Sequence, residues 1–240
     1  MSVKLSRPSA ALLPILLGLL VLLEGPSQAK PRPSWQVEPS SRKATSVGKP
    51  NSGRLQRGVL LPRKGPGYLR RVNVKERYYG TDETIALIAY AGRRLRATYP
   101  HSSPMFIGDL SKKGGGRVPP HGSHQTGRDV DIAFFEKGNK EQKYFNGRLS
   151  LSQIDVEKSW FLIETLLLTD QVLYIFINQK LLPTFRAHAR DVGWDDADLD
   201  RFFLMPKAKR RRGLIRHASG HTYHFHVRFK CPAGEKRCAD

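Results

Sequence analysis

The chain has 240 residues, 39% hydrophobic and 9% aromatic, enough for one packed domain of ordinary size or two small ones. That balance excludes wholesale disorder, a collagen-like repeat and a multi-span membrane protein. Forty-one Lys and Arg against 21 Asp and Glu leave a formal charge of +20, a surface suited to polyanions such as nucleic acid, anionic lipid or an acidic wall polymer.

Residues 1–29 read as a secretory signal. Lys4 and Arg7 form a basic start, and residues 10–23 are apolar apart from Pro14 and Gly18. Ser27 and Ala29 set small side chains three and one positions before the expected cut. The apolar run is short for a bilayer span, so export without stable membrane insertion is expected. Residues 30–57 hold Lys30, Arg32, Arg42, Lys43, Lys49, Arg54 and Arg57 against a single acid, Glu38, among proline, serine and glycine. This composition predicts a flexible basic linker.

Residues 58–240 read as one domain. A helix is expected over 81–98, capped by Thr81, with Asp82 and Glu83 at its positive end, Ile85, Ile88, Leu95 and Tyr99 near one face, and Pro100 after it. A strand follows at 129–135, a helix at 153–169 and a buried strand at 172–177. Shorter helices are expected at 180–190 and 195–203, and a last strand at 222–229. Short strands mixed with helices, without regular alternation, predict an α+β fold with a small, mainly antiparallel sheet flanked by helices.

Six of the eight histidines fall in two stretches. One runs from His121 through His124, Gly127 and Asp129 to Asp131; the other holds His217, His221, His224 and His226. Neutral imidazoles with one carboxylate are what Zn²⁺ takes in a catalytic site, leaving a position for water. Strand alternation puts Thr222, His224, His226 and Arg228 on one face and Tyr223, Phe225, Val227 and Phe229 on the other. Asp129 and Asp131 likewise share a face. Asp129 has alternative uses as a cap, a partner of Arg128, or an orienting group for a histidine. His101 and His188 stand alone and read as structural or exposed, and His217 lies outside the tight group.

These stretches resemble the penicillin-insensitive murein endopeptidases, within a wider group of lysostaphin-type peptidases, D-Ala-D-Ala carboxypeptidases and the hedgehog signalling domain. The resemblance is carried by Tyr79-Gly80-Thr81, Ile107 to Ser111, His121 to Asp131, and Gly220 to Arg228 followed by Cys231-Pro232. It implies a periplasmic zinc peptidase that cuts D-alanyl–diaminopimelate cross-links in peptidoglycan. By position His124, Asp131 and His226 resemble the zinc ligands, His121 a further ligand or near neighbour, and His224 the base acting on water. His221 resembles the histidine that contacts the site from its other side, an oxyanion stabiliser if it is cationic or a donor. With no serine nucleophile, a β-lactam has nothing to acylate. Two departures stand out: Thr222 replaces the acid common after His221, and only Cys231 and Cys238 remain of a larger cysteine set. In an oxidising compartment those two are expected to form a disulfide closing a short loop.

Other classes weigh less. A nucleic-acid binder is suggested by Lys207, Lys209, Arg210, Arg211 and Arg212, but the export signal, the lack of a binding motif and the histidine clusters argue for no nucleic-acid partner. A wall-binding protein with impaired catalysis rests on Thr222. A carboxypeptidase of the same metal-site group shares the motif and is separated only by the wider family pattern.

Overall fold

The computed structural model describes residues 35–71, 76–142, 149–205 and 213–240. The signal segment, the first residues of the linker and the Lys207 to Arg212 run lie outside the described residues.

The described chain opens with a hairpin of β1 (Thr45–Lys49) and β2 (Ser52–Gln56). Short strands follow: β3 (Val59–Leu60), β4 (Lys64–Gly65), β5 (Tyr68–Arg70) and β6 (Tyr79–Gly80). Helix α1 (Asp82–Thr98) leads to β7 (Met105–Ile107) and β8 (Asp129–Ala133). Helix α2 (Val156–Leu167), strand β9 (Val172–Ile177), and helices α3 (Leu182–Asp191) and α4 (Asp196–Phe202) come next. Strands β10 (Ile215–His217) and β11 (His224–Phe229) complete the order.

The helices form where their caps say they should. The Thr81 hydroxyl accepts the Thr84 N–H, Asp82 and Glu83 sit in the first turn, and Leu87, Ile88, Ala91 and Leu95 are buried. Asp155 accepts the Lys158 N–H at the start of α2, and Asp195 accepts the Asp198 N–H at the start of α4. The second helix therefore begins later than its apolar pattern predicts, because residues 151–153 make a separate 3₁₀ turn and Asp155 supplies the cap.

Seven strands form one sheet in the order β10-β9-β11-β8-β7-β5-β4. Pairs β9–β11, β11–β8, β8–β7 and β5–β4 are antiparallel, and β10–β9 and β7–β5 are parallel. This is the α+β architecture that the element pattern predicts, wider than the small sheet expected from its three predicted strands. Alternation sorts the faces: Val130, Ile132, Phe225, Val227 and Phe229 join the core with Trp160, Leu162, Ile163 and Phe185 of the helices. Each such fully buried aliphatic or phenyl side chain contributes about 1.5–3 kcal/mol. Trp160, 2% exposed, lies between the rings of Trp194 (5.4 Å) and Phe203 (5.7 Å). The opposite sheet face carries the histidines and carboxylates.

One expectation is corrected. The flexible linker predicted over 30–57 contains the β1–β2 hairpin, with Ala44, Ser46 and Leu55 buried. Contacts remote in sequence order it: Gly48 N–H donates to the Arg237 carbonyl, Ala239 N–H to the Gly48 carbonyl, and Gln125 N–H to the Pro50 carbonyl. Ala239 follows the Cys231–Cys238 disulfide, which is formed. Among the described residues no helix is long and apolar enough to cross a membrane.

Candidate metal centre

Strands β8 and β11 pair with His226 opposite Asp131, Arg228 opposite Asp129 and His224 opposite Ala133. Paired residues point to the same face, so His224, His226, Arg228, Asp129 and Asp131 gather on the side away from the helical core. The loop before β8 supplies His121 and His124. It turns at Gly127 (φ 75°), where a Cβ would lie 2.8 Å from the Leu55 side chain and 3.1 Å from the Thr81 nitrogen.

His124 itself sits at φ 65°, a region few non-glycine residues adopt. Such a conformation costs on the order of 1–3 kcal/mol and persists where surroundings hold it. Here the Asp129 carboxylate accepts the His124 N–H at 3.0 Å, and the Leu110 carbonyl accepts from His124 Nδ1 at 2.7 Å. That second bond places the ring proton on Nδ1 and turns the Nε2 lone pair inward.

The other imidazoles are fixed in the same manner. Asp109 Oδ2 accepts from His121 Nε2 at 2.9 Å, leaving Nδ1 facing Asp131 Oδ2 at 3.9 Å. Asp129 Oδ1 accepts from His226 Nε2 at 2.8 Å, leaving Nδ1 3.1 Å from Asp131 Oδ1. His124 Nε2 is 3.4 Å and His224 Nε2 3.8 Å from the same Asp131 oxygen. Donor atoms of His121, His124 and Asp131 all lie within 4.8 Å of one another, with the His226 nitrogen beside them.

The residues fit a divalent cation on their own chemistry. His124 Nε2 is fully buried and makes no hydrogen bond, an uncommon state for a buried ring nitrogen with its lone pair aimed at a carboxylate. Three imidazoles whose outer nitrogens are tied to carboxylates or a carbonyl match the usual outer partners of zinc-binding histidines. Burial opposes charge on Asp131, yet His124, His226 and His224 hold its carboxyl well below the usual range. Asp129 is likewise lowered against its burial by His226 and Arg228. For His226 burial favours the neutral ring, but Asp129 and Asp131 raise its pKa to about 9. The carboxylate charge that raises the His226 pKa is the same charge that favours a bound cation.

His224 and His221 complete the cluster. Their rings are 4.7 Å apart, and burial lowers the pKa of both, His224 to about 4. The Ser219 carbonyl accepts from His221 Nδ1 at 2.7 Å. The structure therefore brings His121, His124, Asp131, His221, His224 and His226 together. It leaves His217 out: that ring is exposed and its Nδ1 accepts the Gln179 N–H at 3.0 Å. His101 is exposed and His188 half-buried on α3.

Asp109, Leu110 and Arg77 are the contributors that residue patterns missed. Arg77 Nη1 donates to Asp109 Oδ2 at 3.0 Å, so one oxygen serves both the guanidinium and His121. The Ile107 to Ser111 stretch carries part of the resemblance, but nothing in it assigns a role to Asp109. It is brought in by backbone bonds from Gly108 N–H to the Asp131 carbonyl and from Asp131 N–H to the Asp109 carbonyl, where the β7 chain runs beside β8.

Residues 46–240 match the family model described as penicillin-insensitive murein endopeptidase. The chain is similar to the penicillin-insensitive murein endopeptidase of Haemophilus influenzae, with 30% identity over 212 positions covering 82% of this chain and 67% of the relative. It is similar to that of a Klebsiella pneumoniae strain at 28% identity, with 93% of this chain and 80% of the relative covered. An Escherichia coli relative of the same name is 27% identical over 93% of this chain. The match spans the hairpin, both histidine stretches and the disulfide loop, and the chain belongs to the penicillin-insensitive murein endopeptidase family.

Proposed function

We propose that this chain is an exported zinc metalloendopeptidase that hydrolyses D-alanyl–diaminopimelate cross-links in peptidoglycan, working in the periplasm. The observation that carries the reading is the convergence of ring nitrogens from half-buried His121 and buried His124 and His226 on the Asp131 carboxylate. In this reading His124, Asp131 and His226 hold the zinc, with His121 a further ligand or a near neighbour. Bound zinc supplies Lewis acidity and a nucleophile usable near neutral pH.

The chain's own residues do the rest. His224, neutral at pH 7 because burial lowers its pKa to about 4, takes the proton from the attacking water and returns it to the leaving amine. His221 donates through Nδ1 to Ser219 and is held neutral by burial, so its Nε2 is an acceptor. In that tautomer His221 is suited to accept a substrate N–H or a water proton; as the cation it would donate to the oxyanion. The tie to Ser219 also holds His221 without the acid that Thr222 replaces, which weighs against impaired catalysis.

Elemental analysis of the purified, folded protein tests the metal assignment. About one zinc per chain is expected, with loss of at least tenfold in affinity for His124→Ala, Asp131→Ala and His226→Ala. Stoichiometric zinc in all three variants would refute it.

A further inference from the structure

The sheet register extends the metal centre sideways. Asp131, His226, Phe176 and Arg216 are successive partners on β8, β11, β9 and β10, and the next row pairs Arg228 with Tyr174. All therefore project from the face that carries the metal donors. With strands about 4.8 Å apart, the Arg216 backbone lies roughly 10 Å from that of His226, the reach of about three residues of extended peptide.

On this face two aromatic rings lie between two guanidiniums. Tyr174 and Phe176 are half-buried, with ring centroids 5.9 Å apart. Arg216 lies 3.7 Å over the Tyr174 ring, and Arg228 is 5.3 Å from the Phe176 ring, which itself meets His226 edge-on at 5.4 Å. Arg228 is committed to Asp129 through Nε at 2.8 Å. Arg216 is held in its pose by Nε and Nη2, which both donate to the Gly213 carbonyl at 3.0 and 2.7 Å. The rest of its five-donor fork remains for a ligand, in the planar geometry that suits a carboxylate.

Tyr174 and Arg216 also line a cavity of about 520 Å³ with Arg201, Phe202, Lys230 and Asp170. Among the described lining residues three cations face one acid, and that acid is paired with Lys230 at 2.8 Å. The wall thus favours an anion attached to an apolar or peptide body.

We propose that Tyr174, Phe176 and Arg216 form a substrate subsite that binds a free carboxylate on the peptide arm lying beside the metal centre. This rests on the peptide-hydrolase reading above. The carboxylate pairs with the Arg216 fork while the aliphatic part of the arm lies on the aromatic rings, fixing which side of the cross-link faces His224. Arg216 is thereby a specificity-determining residue.

The test compares muropeptides that carry free carboxylates with the same muropeptides amidated. Calorimetric binding to chelator-treated protein is measured first, then turnover of the cross-linked dimers by zinc-loaded protein. Native protein should bind the free form about tenfold more tightly than the amidated one. Arg216→Gln should abolish that preference and raise KM for the free dimer about tenfold, with zinc content unchanged. Tyr174→Leu, which leaves the Gly213 bonds intact, should weaken both forms about three- to tenfold. Equal binding of the two forms by native protein, or a preference that survives Arg216→Gln, overturns the subsite. Preferential binding without cleavage of any dimer leaves the subsite standing and removes the endopeptidase reading; cleavage without preference does the reverse.

Discussion

Replacing Asp109 by Asn asks whether His121 is a ligand. Burial opposes charge on Asp109, yet His121 and Arg77 hold its carboxyl below the usual range, and both donate to Oδ2. The other oxygen, Oδ1, is buried without a hydrogen bond. Asparagine can keep both contacts through its amide oxygen, while its NH₂ takes the place of the buried, unpaired Oδ1, so the substitution removes the charge and adds a buried donor that the fold control must accommodate. Hydrogen bonds to charged groups are worth about 1.5–3 kcal/mol and roughly twice their neutral counterparts, so the His121 bond loses about 1 kcal/mol. At 1.4 kcal/mol per factor of ten, metal affinity should fall roughly fivefold, somewhat less than the usual loss for an outer partner of a ligating histidine. Competition against a chromophoric chelator measures it, with circular dichroism confirming the fold. His121→Ala should lose considerably more. Unchanged affinity in a folded Asp109→Asn protein would show that His121 does not hold the metal.

Three further outcomes follow from the same geometry. His224→Ala should keep zinc and lose about 10²–10⁴-fold in rate, whereas His226→Ala should lose both; a folded, zinc-free His224→Ala protein would make His224 a ligand. Replacing Cys231 and Cys238 by Ser should cost about 2–3 kcal/mol by the chain-entropy estimate for the short loop they close, read as a lower denaturation midpoint; an unmoved midpoint would contradict it. Binding to isolated sacculi should weaken as salt rises from about 0.1 to 1 M and the Debye length shrinks from about 10 to 3 Å, and salt-independent binding would argue against a role for the basic surface.

The legible parts of the fold were those written in local chemistry. Thr81 with Asp82 and Glu83 marks the start of α1, and the alternation from His224 to Phe229 sorts site from core, because both signals lie within a few residues. The β1–β2 hairpin carries no such signal. Its residues are polar and basic, and what orders them is the Arg237 to Ala239 backbone and Gln125, contacts far along the chain. The site divides in the same way. His121, His124, Asp131, His221, His224 and His226 announce themselves by crowding, whereas Asp109, 12 residues before His121 in the Ile107 to Ser111 stretch, shows its role only when the β7 chain aligns beside β8. The His221 tautomer was equally illegible, since it depends on the Ser219 carbonyl, a backbone group that no side-chain pattern encodes.

The most direct measurement incubates native, chelator-treated and zinc-restored protein with cross-linked muropeptide dimers and identifies the products by mass. The account predicts monomers without release of free D-alanine, no products after chelation, and recovery on adding zinc. Intact dimers with loaded protein, release of D-alanine in place of monomers, or undiminished cleavage after complete removal of metal would contradict it.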